Sequence, residues 1–509
     1  MRDMNRRVIE MILNGEVRDR AHLQKLKVRL AGEHNLTEVP PNSEILAAAR
    51  GDELGKVTPL LRRKPVRTVS GVAVVAVMTS PHPCPHGKCT YCPGGVDAGS
   101  PQSYTGKEPA ARRALRNEFD PFRQVTDRIK QLGDIGHRTD KIDLIIMGGT
   151  FTSREYEYQE WFVRRCFDAM NGTDSENIGK AHAMNASSAH RCIGMTVETR
   201  PDVFNEEQIE RAMALGATRV ELGVQILDDE ILKGVNRGHG VKETIEATRN
   251  CKRHGLKVCY HVMPGLPGSS FEKDIASFRR MFDDPDLRPD MLKIYPTLVI
   301  PGTELHQLWS SGRYVPYGNE EGVELAAEMK SIVPEYVRIQ RIQRDIPVPE
   351  IAAGITKSNL RELARERLLR DGRECRCIRC REVGQNDISM DDPSLIVTKD
   401  LEYEASGGTE HFISLEYDDM IVGYVRLRLD GGDTATIREL KVFGRMAGIG
   451  EDGEWQHRGF GKELMAKAEE KARASGKRKM RINSGVGVRD YYDSLGYGLH
   501  APYMTKIIE

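Results

Sequence analysis

The stretch SPHPCPHGKCTYCPGG, from Ser80 to Gly95, sets Cys84, Cys89 and Cys92 in a loop rich in proline and glycine. Gaps of four and two residues between three thiols leave one ligand short of the four that a structural zinc site takes. In one reading, zinc is completed by His82 or His86. In the other, the three thiolates hold a 4Fe–4S cluster whose fourth iron stays open to a small molecule, and the tight spacing favours this one. A second trio, Cys375, Cys377 and Cys380, lies in ECRCIRCREVG with gaps of one and two residues. Soft thiolates so close together suggest zinc, with a fourth ligand from elsewhere, a histidine among the candidates. Three reduced structural cysteines are the alternative. Cys166, Cys192, Cys251 and Cys259 are scattered and fit ordinary core positions.

A third pattern is QHRGFGKELMAKAEEKARASG, from Gln456 to Gly476. Gly459 and Gly461 leave backbone N–H groups bare where an Ala- and Leu-rich helix begins, an arrangement that binds pyrophosphate well. Taken alone, the glycines also fit a plain strand-to-helix connection. Downstream, RDYYDSLGY (Arg489–Tyr497) carries Tyr491 and Tyr492, whose phenols could contact or protonate a thioester sulfur, or simply fill core and surface.

These groups need elements to place them. GVAVVAVM (Gly71–Met78) leads into the first cysteine loop, and KIDLIIMGG, CIGMTVE, RVELGVQ, LKVCYHVM and MLKIYPT follow as further short apolar strands. Between them, segments such as NEEQIERAMALG and VKETIEATRNCKRHG have helical character and end at glycine, as a helix C-cap does. Strands separated by crossover helices predict a parallel β/α barrel or partial barrel, with reactive groups on the loops after the strand C-termini. The cysteine loop, after the first strand, obeys that rule. Further on, DMIVGYVRLRL (Asp419–Leu429) has the alternation of a strand pair, and IRELKVF (Ile437–Phe443) that of another strand, pointing to a separate α+β domain.

A chain of 509 residues exceeds one ordinary core. We divide it into a basic helical region (1–70), a barrel (71–345), a linker with the second thiol trio (346–394) and the C-terminal domain (395–509). No apolar run approaches the ~18 residues that span a bilayer, and MRDMNRRVIEMIL lacks the form of a secretory signal. Ten cysteines, six of them in two clusters, suggest metal ligation in a reducing, cytoplasmic setting. Net charge is zero, yet no acid occurs from Lys56 to Val96, where Lys56, Arg62, Arg63, Lys64, Arg67 and Lys88 fall. The first thirty residues add eight Lys and Arg, Lys27 among them, against four acids. Such an excess is the footprint of a polyanion site. For the N-terminal helix alone a solvated face is the simpler reading; with the basic stretch running into the thiol loop, the two are balanced.

The thiol loop together with MGGTF (Met147–Phe151) resembles the radical S-adenosylmethionine superfamily. There the open iron is chelated by the amino and carboxyl groups of the cofactor, which is split to a 5′-deoxyadenosyl radical. The usual first gap is three residues; four is seen in one branch, which also carries counterparts of QSYTGKEP (Gln102–Pro109), VETRPD (Val197–Asp202) and GVNRGH (Gly234–His239). That branch is the family of Elongator catalytic subunits, and the similarity runs from about the cysteine loop to the C-terminus. The C-terminal part resembles the Gcn5-related N-acetyltransferase fold, which binds acetyl-coenzyme A.

The resemblance implies acetyl-coenzyme A contacts at Leu440, Lys441, Val442 and Phe443, at Gly459, Phe460 and Gly461, and at Tyr491. It adds Lys141 on the barrel side, a position that sequence alone would call an exposed lysine opening a strand. It implies that a radical made from the acetyl methyl group adds to C5 of the wobble uridine in a tRNA anticodon stem-loop, leaving 5-carboxymethyluridine after thioester hydrolysis. It also leaves a homodimer open. A lysine acetyltransferase acting on proteins, with a merely structural cluster, is the competing expectation.

Overall fold

Period-two alternation builds the first sheet. In KIDLIIM, Ile142, Leu144 and Ile146 are fully buried against helices, while Lys141, Asp143, Ile145 and Met147 face the other way, into a cavity. Burying each such branched side chain stabilises by about 1.5–3 kcal/mol, so one apolar face suffices to seat the strand. A computed structural model, describing residues 1–63, 68, 71–386, 388, 392–444 and 458–508, shows seven such strands. They are β1 (Ala73–Met78), β2 (Lys141–Met147), β3 (Arg191–Thr199), β4 (Arg219–Gln225), β5 (Lys257–Val262), β6 (Met291–Ile294) and β7 (Arg338–Ile342), paired in parallel in that order. The edges of β1 and β7 do not pair, so the barrel is partial and open on that side. Arg344, just past β7, reaches across the gap to the Ser103 carbonyl. The crossover helices Glu206–Ala214 and Val241–Arg253 end as expected, with Gly216 and Gly255 at positive φ. The inner face departs from expectation: ordinary barrels fill it with branched apolar residues, whereas here it carries charge.

The second sheet has the order β13-β14-β12-β11-β10-β9-β8. Its strands are β8 (Val397–Ala405), β9 (Gly408–Tyr417), β10 (Met420–Leu429), β11 (Thr434–Val442), β12 (Lys479–Ile482), β13 (Gly498–His500) and β14 (Tyr503–Ile507). The alternation in DMIVGYVRLRL belongs to one ten-residue strand, β10, and not to a pair. The helix Phe460–Ala474 packs on β9, β10 and β11.

The two sheets meet at the N-terminal ends of the barrel strands. Arg438 donates to the Leu256 carbonyl (2.7 Å) and Asp290 (2.9 Å), and Arg426 to the Tyr336 carbonyl (2.7 Å). Glu410 bonds Arg428 (3.1 Å) and Arg438 (3.0 Å), and Lys252 lies 3.6 Å from Asp290, all of these side chains fully buried. At Gly485 a Cβ would overlap the Ile193 carbonyl, so only glycine permits this backbone approach.

The N-terminal helices Arg2–Leu13, Arg20–Glu33, Asn42–Ala47 and Leu54–Leu61 enclose their own core, built from Met4, Val8, Leu23, Leu26 and Leu30 among others. Arg2, Arg7, Arg18, Lys25, Arg29, Lys56 and Arg63 are exposed. Lys27 is not; it is buried and donates to Asn42 (2.7 Å). Arg6 pairs with Glu53, and Arg62 donates to the Gly136 carbonyl at 2.8 Å. Lys64, Arg67 and Gln456 lie outside the described residues. No helix among those described is long and apolar enough to cross a membrane.

Candidate active site

Cys84, Cys89 and Cys92 sit in the loop leaving β1, at the C-terminal mouth of the partial barrel. Thr150, from MGGTF, is 3.3 Å from the Cys84 sulfur, and the Ser103 amide donates to Cys92 (3.1 Å). Two arginines from distant motifs close in. Arg237 of GVNRGH donates to Cys89 (3.7 Å), and Arg200 of VETRPD, gripped by Asp202, contacts His86. Burial pushes the Cys84 and Cys92 thiols up, while Thr150 and the two arginines pull Cys84 back down. Cation-lined thiols fit an anionic thiolate-held group.

The spacing of the sulfurs discriminates between metals. Tetrahedral zinc at about 2.3 Å would draw its sulfurs to about 3.8 Å from one another. Among the described residues, only two sets of donors lie within 4.8 Å of each other, and these three cysteines are not one of them. Thiolates that each cap a different iron need not converge, so the loop fits an iron–sulfur cluster. His86 bonds the Cys89 sulfur at 3.1 Å and is a hydrogen-bond partner here.

Cys375, Cys377 and Cys380 do converge within 4.8 Å. Hydrogen bonds from Cys375 and Cys380 hold the Cys377 thiol well below the usual range against the opposing effect of burial. Among the described residues no histidine joins this set; the neighbour is Lys330, its ammonium 3.6 Å from the Cys380 sulfur. The second converging set is Glu221, Cys259 and His261, where the Lys293 ammonium already contacts the Glu221 carboxylate.

At the opposite end of the barrel, β11 pairs with β12 only from Thr434 to Ile437. Beyond that the strands splay, and Leu440, Lys441, Val442 and Phe443 present their unpaired edge to the cavity. Gly459, at φ +87°, caps the helix Phe460–Ala474 without a side-chain bond, and the first amides of the helix have no partner among the described residues. A Cβ on Gly461 would stand 2.7 Å from the Tyr491 hydroxyl. That hydroxyl is buried with no hydrogen-bond partner among the described residues, and burial raises its pKa. An orphaned phenol beside open amides is what a missing ligand leaves behind. Tyr492 instead packs into the core. Burial lowers Lys441 to about 8, with Arg338 adding to the effect, and lowers Lys141 as well.

One cavity of about 1680 Å³ joins the two ends, lined by Cys84, Thr150 and Arg200 at one limit and by Gly459, Gly461 and Tyr491 at the other. Its middle wall holds Glu221, His261 and Lys293, which lie on no motif, linked to Glu198 of VETRPD and Tyr104 of QSYTGKEP. These residues stand on separate strands and loops, and only the barrel topology brings them together.

A partial parallel barrel with a three-thiol loop at its mouth, joined to a splayed acetyltransferase sheet, defines a radical S-adenosylmethionine enzyme fused to an acetyl-coenzyme A-binding domain. Comparison with known proteins agrees. Residues 80–280 match the Radical SAM superfamily, 289–370 the Radical SAM C-terminal domain, 1–69 the ELP3 N-terminal domain and 379–497 the acetyltransferase (GNAT) family. A tRNA uridine(34) acetyltransferase of Methanocaldococcus jannaschii is 47% identical over 100% of this chain and 98% of its own. Elongator complex protein 3 of Homo sapiens is 42% identical over 96% and 93%. The solved structure of Methanocaldococcus infernus Elp3, lacking residues 1–46, is 46% identical, covers 86% of this chain and all of its own, and superposes with a TM-score of 0.77. The chain belongs to the Elongator complex protein 3 family of tRNA uridine(34) acetyltransferases. Membership implies S-adenosylmethionine, acetyl-coenzyme A and an iron–sulfur cluster as its cofactors.

Proposed function

We propose that this chain installs a carboxymethyl group, drawn from acetyl-coenzyme A, on C5 of the wobble uridine of tRNA. The single cavity that joins the thiol loop to the splayed β11 edge carries this reading. A protein lysine acetyltransferase needs its thioester open to a partner's surface; here Gly459, Gly461 and Tyr491 line the same cavity as the thiol loop, which supports transfer towards the barrel.

Cys84, Cys89 and Cys92 would hold a 4Fe–4S cluster, with Arg200 and Arg237 balancing its charge. When bound, cluster and S-adenosylmethionine supply a 5′-deoxyadenosyl radical, the chemistry needed to turn an unactivated methyl group into a carbon nucleophile. The amides of Gly459, Phe460 and Gly461 and the edge from Leu440 to Phe443 would seat acetyl-coenzyme A, with Tyr491 near its reactive end and Lys141 reaching from the barrel. Excluding water and orienting the reactants are the chain's own contribution. The exposed cations Arg2, Arg7, Arg18, Lys25, Arg29, Lys56 and Arg63 would hold tRNA phosphates in a salt-dependent way. Cys375, Cys377 and Cys380 would hold a zinc ion that braces the domain junction, consistent with their convergence. Ten unpaired thiols suit a reducing, cytoplasmic setting.

Anaerobic reconstitution with iron, sulfide, dithionite, S-adenosylmethionine, acetyl-coenzyme A and tRNA, followed by nucleoside analysis, tests the reading. The expected result is 5′-deoxyadenosine together with a C5-carboxymethylated uridine, both absent from Cys92→Ala. Acetylated lysine with unmodified tRNA would support the protein acetyltransferase instead.

A further inference from the structure

The middle wall of the cavity holds a carboxylate–imidazole pair that the cofactor sites leave unused. Glu221 on β4 accepts from His261 Nε2 on β5 at 2.7 Å, and the Lys293 ammonium on β6 grips the same carboxylate. Lys293 also lies 3.9 Å from Glu198 on β3, which accepts from the Tyr104 hydroxyl at 2.6 Å. Burial alone would raise Glu221, but Lys293 and His261 overcome it and hold the carboxylate below its usual range. Lys293 is in turn raised by Glu221, Tyr295 and Glu198 against the opposing effect of burial. Both therefore stay charged.

Buried ion networks stabilise no better than well-packed apolar residues, so their presence on a cavity wall points to function. The geometry of the imidazole says which function. Its Nε2–H is committed to Glu221, which fixes the tautomer and leaves the Nδ1 lone pair free. Among the described residues Nδ1 has no hydrogen-bond partner. The edge of the Tyr295 ring, 5.4 Å away at 72°, limits rotation of the imidazole. A base oriented through its far nitrogen by a carboxylate is the arrangement that activates or relieves a reacting group of its proton.

Position along the strands agrees. Arg219, Lys257 and Met291 lie beside the acetyltransferase domain, and Gln225 and Met263 beside the thiol loop. Glu221, Lys293 and His261 fall between, where strand rise of ~3.3 Å per residue sets them partway between the two ends. A base flipped into the cavity from an anticodon must sit there to meet both.

Resting on the proposed function, we infer that His261 is the catalytic base that takes the C5 proton of the target uridine, with Glu221 and Lys293 as positioning residues. The balance is as follows. The incoming carbon radical pairs its electron with one from the C5=C6 bond, which leaves the other on C6. The C6 radical would then give up one electron, the oxidant being of the class an oxidised iron–sulfur centre would supply if held by Cys84, Cys89 and Cys92. The C5–H pair then closes C5=C6 again, and the hydrogen leaves as a proton to His261 Nδ1. The linked charges of Glu198, Glu221 and Lys293 sum to one negative, so the imidazolium formed is welcome. Other groups facing it are accounted for: Cys259 is held as a thiol by burial, and Arg219 and Arg341 are paired with Asp143 and Asp345. Arg344 stands over the rings of Tyr104 and Tyr295 at 5.8 and 6.0 Å.

The test uses the full reconstituted chain and tRNA carrying tritium at C5 of the wobble uridine, read as tritium released to water and as 5′-deoxyadenosine formed. In His261→Asn, release should fall about 10²–10⁴-fold while 5′-deoxyadenosine continues to form and tRNA binding is unchanged. Glu221→Gln, nearly isosteric, should give a smaller fall, recovered towards wild type in Glu221→Asp, and decides the matter if His261→Asn loses its fold. Release equal to wild type in both His261→Asn and Glu221→Gln would overturn the assignment. Wild-type protein that forms 5′-deoxyadenosine but never releases tritium would overturn the functional reading and this inference with it.

Discussion

Lys441 shows how one side chain can report on a binding site. It stands near the end of β11 facing the cavity, 5.3 Å from the Phe443 ring, and burial with Arg338 nearby lowers it to about 8. A lysine depressed in this way is charged below that pH and neutral above it. If its ammonium helps seat the anionic coenzyme, acetyl-coenzyme A affinity should hold steady at pH 7 and weaken above pH about 8. Titration calorimetry at pH 7 and 9 checks this, and Lys441→Met should bind more weakly at pH 7 with the pH dependence flattened. An unchanged pH dependence in the variant would remove Lys441 from the site. At this scale the sequence was uneven as a guide. The thiols announced themselves through spacing, because ligands on one loop must be close in sequence. Glu221, His261 and Lys293 could not, because no two of them share a strand and only topology unites them. Lys27 misled for the converse reason: it lies between Leu26 and Leu30 on the buried face of its helix, and charge alone suggested a surface.

Among the elements, the segment from Cys375 to Glu382 does the most with the fewest residues. The Ile378 amide donates to Val337 beside β7 (2.9 Å), and Arg338 on β7 makes a two-point bond to Glu382. Arg381 bonds Glu416 and Asp419 of the second sheet, and Glu382 pairs with Ile421 on β10. Arg379 and Glu382 meanwhile line the cavity. A metal on the thiol trio would therefore pin a wall of the active site. Cys377→Ser should lower zinc from about one per chain to none by elemental analysis, reduce Tm, and weaken acetyl-coenzyme A binding several-fold. Retention of the metal would dismiss the trio as its ligands. Strands β7 and β8 were invisible beforehand for a physical reason. RIQRI alternates polar residues into the cavity, and most of β8 is exposed on both faces, so neither shows the apolar run by which β2 and β5 are recognised.

For the molecule as a whole, the junction between barrel and acetyltransferase sheet is held by buried charge. Asp290 gathers Arg438, Arg426 and Lys252 around one carboxylate, which keeps its pKa low in spite of burial. Arg438→Met would strand that carboxylate and Glu410 without their main partner, costing about 3–5 kcal/mol. Chemical denaturation should show a single transition moved to lower denaturant, and a second, separate transition would mean that the halves fold independently. The backbones of the two halves also approach closely at Gly485. The unpaired side of the barrel between β1 and β7, bridged by Arg344, is where an RNA could enter. Were one lodged there, coenzyme and sulfonium donor loaded beforehand would lie behind it, and the order of traffic would follow from an incomplete ring: initial rates with each reactant varied should then show RNA adding last.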